Sequence, residues 1–179
     1  MKLFSLLLLL NCLPVCIAAQ NRISDIELRN VDGNIVKSGN IFSQNHPVVM
    51  IFWNSYNPRC CDNLENMQSA WISRLKESGV KLVAVCIDCR GSYSYVKPFI
   101  QGKEWEFDIY IDTNGDFKRA LGVTDAPYTL LFDKNQKLIC RHQGYCSGNE
   151  DMVCEKILHC LSESNSDLIV QAECYLLKE

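Results

Sequence analysis

Hydrophobic residues recur along this chain with two periods, and the switches between them mark out its elements. Residues 23–37, ISDIELRNVDGNIVK, alternate polar and apolar on either side of Asp32-Gly33, which predicts a β-hairpin. Residues 47–53, PVVMIFW, form an unbroken apolar run of strand length, as a strand covered on both faces requires. From Pro58 to about Ser78 the period changes to a helical one, with Leu64, Met67, Trp71, Ile72 and Leu75 on it and Gly79 as the stop. VKLVAVCI (80–87) predicts a second buried strand, and Val96, Phe99 and Ile100 a short helix over about Ser92–Gln101. FDIYID (107–112) is strand-like, Asn114-Gly115 is a turn, and DFKRAL (116–121) makes one short helix before Gly122. YTLLF (128–132) and KLICRH (137–142), joined by a turn at Asp133–Gln136, predict a terminal hairpin. A last helix fits about Asn149–Leu161, followed by a polar linker and a short amphipathic end; no repeat or low-complexity tract interrupts the series.

Strands alternating with helices predict an α/β fold, a sheet with helices on both faces. In such sheets functional groups collect beyond the carboxyl ends of the strands. Two cysteine pairs fall at such ends: Cys60-Cys61 after the first core strand and Cys86-x-x-Cys89 after the second.

The leading segment stands apart. Lys2 precedes LFSLLLLL, and small Ala18-Ala19 come before polar Gln20, which is the pattern of a secretory signal peptide over residues 1–19. Asn11 and Pro14 break the run as a membrane anchor, and Asn11 and Val15 are poor residues to precede a lipidated cysteine. The expected organisation is a signal peptide (1–19), one domain (20–162) and a C-terminal tail (163–179), exported to a periplasm or a secretory lumen, with no stable membrane span after cleavage. Formal net charge is −3, or −4 once Lys2 leaves, with no basic run, which argues against nucleic-acid binding. Nothing in the pattern specifies an oligomeric state.

Of 11 cysteines, nine would remain after cleavage, and an exported chain with an odd number is expected to carry disulfides and at least one unpaired sulfur. Cys60 and Cys61 lie in a predicted first helical turn beside Arg59, where a thiol is expected to ionise more readily. One of them is then an attacking thiol; alternatively Cys60 is an inert core residue and Cys61 half of a structural bridge. A vicinal Cys60–Cys61 bridge ranks last. Cys89 with either would make a dithiol across two strand ends; otherwise Cys86 is core and Cys89 structural. Cys146, Cys154 and Cys160 fit separate bridges better than a Cys/His cluster with His142 and His159. Adjacent cysteines on a helix diverge by about 100°, a poor metal fork, so no metal site is assigned. No histidine follows Cys89, no haem signature is present and no cofactor is implied. Trp53 and Trp71 fit core positions, whereas Tyr56 borders the turn before the helix. Asp62, Glu65, Asp112 and Asp116 read as solvated charges or turn residues.

The ordered pieces "VDGNIV", "PVVMIFWNSYNPRC", "GVKLVAVCID", "FDIYIDTNGDFKRALGV", "DAPYTLLFDKNQKL" and "RHQGY" resemble the TlpA-like branch of the thioredoxin superfamily, exported thiol–disulfide oxidoreductases related to peroxiredoxins. The likeness covers roughly residues 22–162. It implies a thioredoxin-like fold with a central mixed sheet, an N-terminal β-hairpin, and Pro127 as a cis-proline facing the active-site turn. The chain departs from the family at the motif itself. Asn57 stands where the attacking cysteine of C-x-x-C belongs, and Cys60 takes the place of the second, more buried cysteine. Asn57 is suited to cap the helix, with Pro58 at its first position. The two-cysteine cycle through this motif is therefore excluded.

Two functions follow as expectations. In the first, Cys60 or Cys61 forms a mixed disulfide with a protein or small-molecule thiol or disulfide, and Cys89 or an external thiol resolves it, with Pro127, Asn57 and Tyr56 bordering the substrate. In the second, the chain is a redox-inactive peptide-binding module stapled by disulfides. Peroxide reduction lacks the Thr-x-x-Cys arrangement of peroxiredoxins.

Overall fold

The computed structural model describes residues 25–42, 46–88, 93–146, 148 and 150–164. Residues 1–19, the tail from 165 onward and Cys89 lie outside the described residues. Seven strands form one mixed sheet: β1 (Glu27–Asn30), β2 (Ile35–Lys37), β3 (Val48–Trp53), β4 (Lys81–Cys86), β5 (Asp108–Ile111), β6 (Tyr128–Phe132) and β7 (Leu138–Gln143), in the order β2-β1-β5-β4-β3-β6-β7. β3, β4 and β5 run parallel, and the other pairings are antiparallel. Four helices accompany the sheet: α1 (Pro58–Ala70), α2 (Tyr93–Ile100), α3 (Asp116–Ala120) and α4 (Glu150–Ser164).

β3 lies inside the sheet, between β4 and β6, and has no polar face: all six of its residues are buried. Successive side chains alternate between the faces. Phe52 packs on Phe117 of α3, 5.9 Å between centroids, and Trp53 on Phe99 of α2 at 5.8 Å, so these two helices cover opposite faces. Stepping from β3 to β4 to β5 in one direction places α1 and α2 on the same face under the right-handed crossover rule. The hairpin closes at Asp32-Gly33, where Gly33 takes φ +84, and joins the sheet at β5 through Arg29–Ile111 and Asn30–Tyr110. Its strands are shorter than the alternation of residues 23–37 implied, because a short 3-10 turn, Ser38–Phe42, starts directly after Lys37.

The predicted helix over 58–78 is not uniform. After Ala70 it widens into a π-helical turn, Trp71–Leu75, in which Lys76 N–H reaches Trp71 O, five residues back, at 2.8 Å. The buried Trp71 indole N–H donates to Val80 O at 2.7 Å, across the turn that Gly79 allows with φ +72. Asp112 is a turn residue, as one of its two expected roles had it, but not a solvated charge. It is buried, and its carboxylate accepts N–H groups from Phe117 (3.2 Å) and Lys118 (2.8 Å), holding the start of α3. Among the described residues no helix is long and apolar enough to cross a membrane.

Candidate functional site

The carboxyl ends of β3 and β4 open onto the loop Asn54–Asn57. Asn54 is buried, and its Oδ1 accepts the Asn57 N–H at 3.0 Å, which turns the chain out of the strand. Asn57 then caps α1: its backbone is extended (φ −101, ψ 109), its Oδ1 accepts Arg59 N–H at 3.0 Å, and Pro58 occupies the first helical position, where a missing N–H costs nothing. Asp88, two residues past β4, ties the loop to the sheet: Oδ1 accepts Ser55 N–H at 3.0 Å and Oδ2 accepts the Ser55 hydroxyl.

The two adjacent cysteines face different surroundings. Cys60 is fully buried, and its thiol lies against the Asn54 N–H, with the carboxylates of Asp125 and Asp88 nearby. Burial outweighs that hydrogen bond and pushes the thiol up to about 11. Cys61 is partly exposed, and its thiol points back at Asn57 O, 3.8 Å away. Burial raises it too, opposed by the Lys103 ammonium and reinforced by Glu65 and Asp62. The expectation that the helix start and Arg59 would depress these thiols is therefore corrected, since desolvation and carboxylates dominate. Cys60, Cys61, Cys86, Cys146 and Cys154 are all thiols in this structure. Cys154 is fully buried within α4 rather than half of the bridge expected for it. Among the described residues no group of three His, Cys, Asp or Glu side chains is placed to hold a metal ion.

The Ala126–Pro127 bond is cis, and the charge of Asp125, immediately before it, reaches Cys60. Pro127 is itself buried and its carbonyl accepts Gly144 N–H at 2.8 Å, so that oxygen is already taken up in the fold. Tyr56 stands out at the rim with 66 % exposure. Cys60, Asn57, Tyr56 and the Pro127 loop thus gather at one end of the sheet, and Cys61 lies within the field of Lys103, which pairs with Glu65 and lies over the Trp105 ring at 5.9 Å. A cleft of about 390 Å³ opens beyond Lys103 and Trp105, between the hairpin, α2 and β5, and contains no cysteine. Sequence reasoning missed Asp88 and Lys103, two of the charged residues set near the thiols. An aspartate just past an apolar strand was a signal for the first; nothing local marked the second.

Residues 19–141 match the model of the AhpC/TSA family. The chain belongs to the AhpC/TSA family. It is 25% identical over 122 residues to the thiol-disulfide oxidoreductase ResA of Bacillus thuringiensis, across 68% of this chain and 65% of the relative, just under two thirds of the relative's length. A thioredoxin-like protein from Porphyromonas gingivalis shares 30% identity at a TM-score of 0.66, covering 81% of this chain and 95% of that one. A putative thiol:disulfide interchange protein DsbE from Chlorobium tepidum shares 26% at 0.66, covering 76% and 93%. This AhpC/TSA chain has a thioredoxin-like fold, and the expected mixed sheet, hairpin and flanking helices are those observed.

Proposed function

We propose that the chain is an exported thiol–disulfide exchange protein in which Cys61, not a residue at position 57, meets the partner. The observation that carries this reading is the split between adjacent cysteines in the first turn of α1: Cys61 is accessible, whereas Cys60 is enclosed. The Cys61 thiolate attacks a disulfide R–S–S–R, forming Cys61–S–S–R and releasing RS⁻, which takes up the proton that Cys61 lost. Cys89 then attacks the Cys61 sulfur, forming a Cys61–Cys89 disulfide and expelling the second RS⁻, or an outside thiol R′SH attacks the R sulfur, forming R–S–S–R′ and freeing Cys61. Lys103 steadies the thiolate by charge, while Tyr56, Asn57 and the Pro127 loop border the partner's chain. The substrates are protein or small-molecule disulfides, in keeping with the oxidoreductase and interchange names of the relatives, and residues 1–19 act as the export signal. The test is a mixed disulfide of the protein with 5-thio-2-nitrobenzoate. In a Cys146→Ser background, which removes the exposed thiol elsewhere, Cys61→Ser should lose most of the fast-forming adduct and Cys60→Ser should keep it. Should Cys61 prove as inert as Cys60, exchange is ruled out and the peptide-binding module, favoured by the loss of sulfur at position 57, takes its place.

A further inference from the structure

Cys86 takes no part in the exchange at Cys61, yet its position is specific. β4 runs parallel to β3 with Cys86 beside Trp53, and the pairing persists past both strands. Ile87 N–H donates to Trp53 O at 2.8 Å, and Ser55 N–H donates to Asp88 Oδ1 at 3.0 Å. Neighbours paired in parallel strands share a face. Cys86 therefore lies with Trp53 on the face that α1 and α2 cover, and Asp88 continues that row. Cys60 descends onto the same spot from α1, its thiol against the N–H of Asn54, the residue after Trp53. Adjacent strands lie about 4.8 Å apart, so one strand spacing separates the residues that bracket the two sulfurs. Cys60 is also among the groups that press the Cys86 thiol upward, after burial and Asp88. Both cysteines are fully buried.

We propose that Cys60 and Cys86 are a second redox couple, closing to a reversible disulfide between the first turn of α1 and the end of β4, with Asp88 accepting the Cys86 proton. This deepens the exchange reading and rests on it only for the oxidant, a small disulfide R–S–S–R. The Cys60 thiolate attacks one sulfur of R–S–S–R; Cys60–S–S–R forms, and RS⁻ leaves with the proton given up by Cys60. Cys86 passes its proton to the Asp88 carboxylate and attacks the Cys60 sulfur. The internal disulfide forms, and the second RS⁻ leaves and takes the proton from Asp88. Two thiols are oxidised to one disulfide and R–S–S–R is reduced to two RSH. Because both sulfurs are enclosed, the first attack follows an opening of the α1 turn and is slower than exchange at Cys61.

Mature protein is equilibrated in reduced and oxidised glutathione at graded ratios, quenched by alkylation, and mapped by mass spectrometry. The expected result is that Cys60 and Cys86 disappear as thiols together, slowly and reversibly, as one cross-linked peptide pair, while Cys61 appears separately as a glutathione adduct. In Cys61→Ser the cross-link persists, and in Cys86→Ser it is absent. In Asp88→Asn closure slows several-fold at pH 7 and the difference narrows above pH 9. Two outcomes overturn the couple: Cys60 and Cys86 remaining thiols at every ratio, or Cys60 pairing with Cys89. Equal closing rates for Asp88→Asn and wild type at both pH values remove Asp88 from the step. A cross-link that forms in a protein whose Cys61 never takes glutathione would instead sink the exchange reading and leave the couple standing. Wild-type mapping decides the pairing even if Cys86→Ser folds poorly.

Discussion

Replacing Asn57 by cysteine puts a sulfur at the amino end of α1, four residues into a loop already shaped to present it. The change removes the hydrogen bond from Arg59 N–H to Asn57 Oδ1, which costs about 1 kcal/mol and lowers the melting temperature by about 3 °C in a domain of this size. The gain is chemical. A cysteine in a C-x-x-C turn at a helix start has a pKa of about 7, so roughly half of it is thiolate at neutral pH. Cys60, held up at about 11, ionises there to about one part in 10⁴. The new sulfur therefore supplies about 5,000 times more thiolate, while its lower basicity reduces the intrinsic rate by about 40- to 100-fold for a Brønsted slope of 0.4–0.5. A net rise of about 50- to 125-fold remains. To isolate it, Asn57→Cys is built in a Cys61→Ser background and compared with that background, following dithiothreitol-driven reduction of insulin by turbidity. A variant with an unchanged circular dichroism spectrum and no rise in rate would show that position 57 does not present its side chain at the head of the helix beside Cys60.

Three further outcomes are expected. Trp71→Phe, which deletes the 2.7 Å bond to Val80 O inside the core, should cost about 1–3 kcal/mol in urea unfolding; a loss below half a kcal/mol would mean that solvent reaches the carbonyl. His142 is buried with Nδ1 unpaired, and burial, then Lys156, holds its pKa below the ordinary value. The unfolded chain consequently takes up a proton from about pH 6.5 downward that the folded chain refuses, so stability falls on acidification by at most about 1.4 kcal/mol per pH unit; His142→Gln should flatten urea midpoints between pH 7.5 and 5.5. Pulse alkylation at pH 8 should modify Cys61 well before Cys60 or Cys154, whose thiols are buried and raised to about 11, and simultaneous labelling would contradict their burial.

Much of this architecture could be read from runs and punctuation. VVMIFW of the run PVVMIFW became an all-buried interior strand, YTLLF the strand directly after Pro127, and Asn57-Pro58 the cap and first residue of α1. These are local statements, in which the residues and their neighbours in the chain carry the signal. The site was legible only in part, because its electrostatics are assembled across distance. Asp88 meets Ser55 through strand register, 33 residues apart, and Lys103 meets Glu65 and Cys61 across 38 and more. A helix start beside an arginine predicts an acidic thiol, but the amount of water excluded from Cys60 depends on what the other strands place above it. The widened turn at Trp71–Leu75 was equally hidden, since Trp71 and Leu75 keep an ordinary helical spacing and only the five-residue hydrogen bond of Lys76 reveals it.

The buried strand β3 carries a consequence for synthesis. β3 finds one neighbour, β4, soon after it leaves the ribosome, but the other, β6, lies about 80 residues further along the chain. Closing so long a loop is slow. Until β6 emerges, one flank of VVMIFW has unpaired amides and carbonyls on a strand without a charged residue to discourage joining. A nascent or truncated chain that stops short of Phe132 is thus an aggregation hazard, and synthesis relies on whatever shields that flank until the last hairpin arrives.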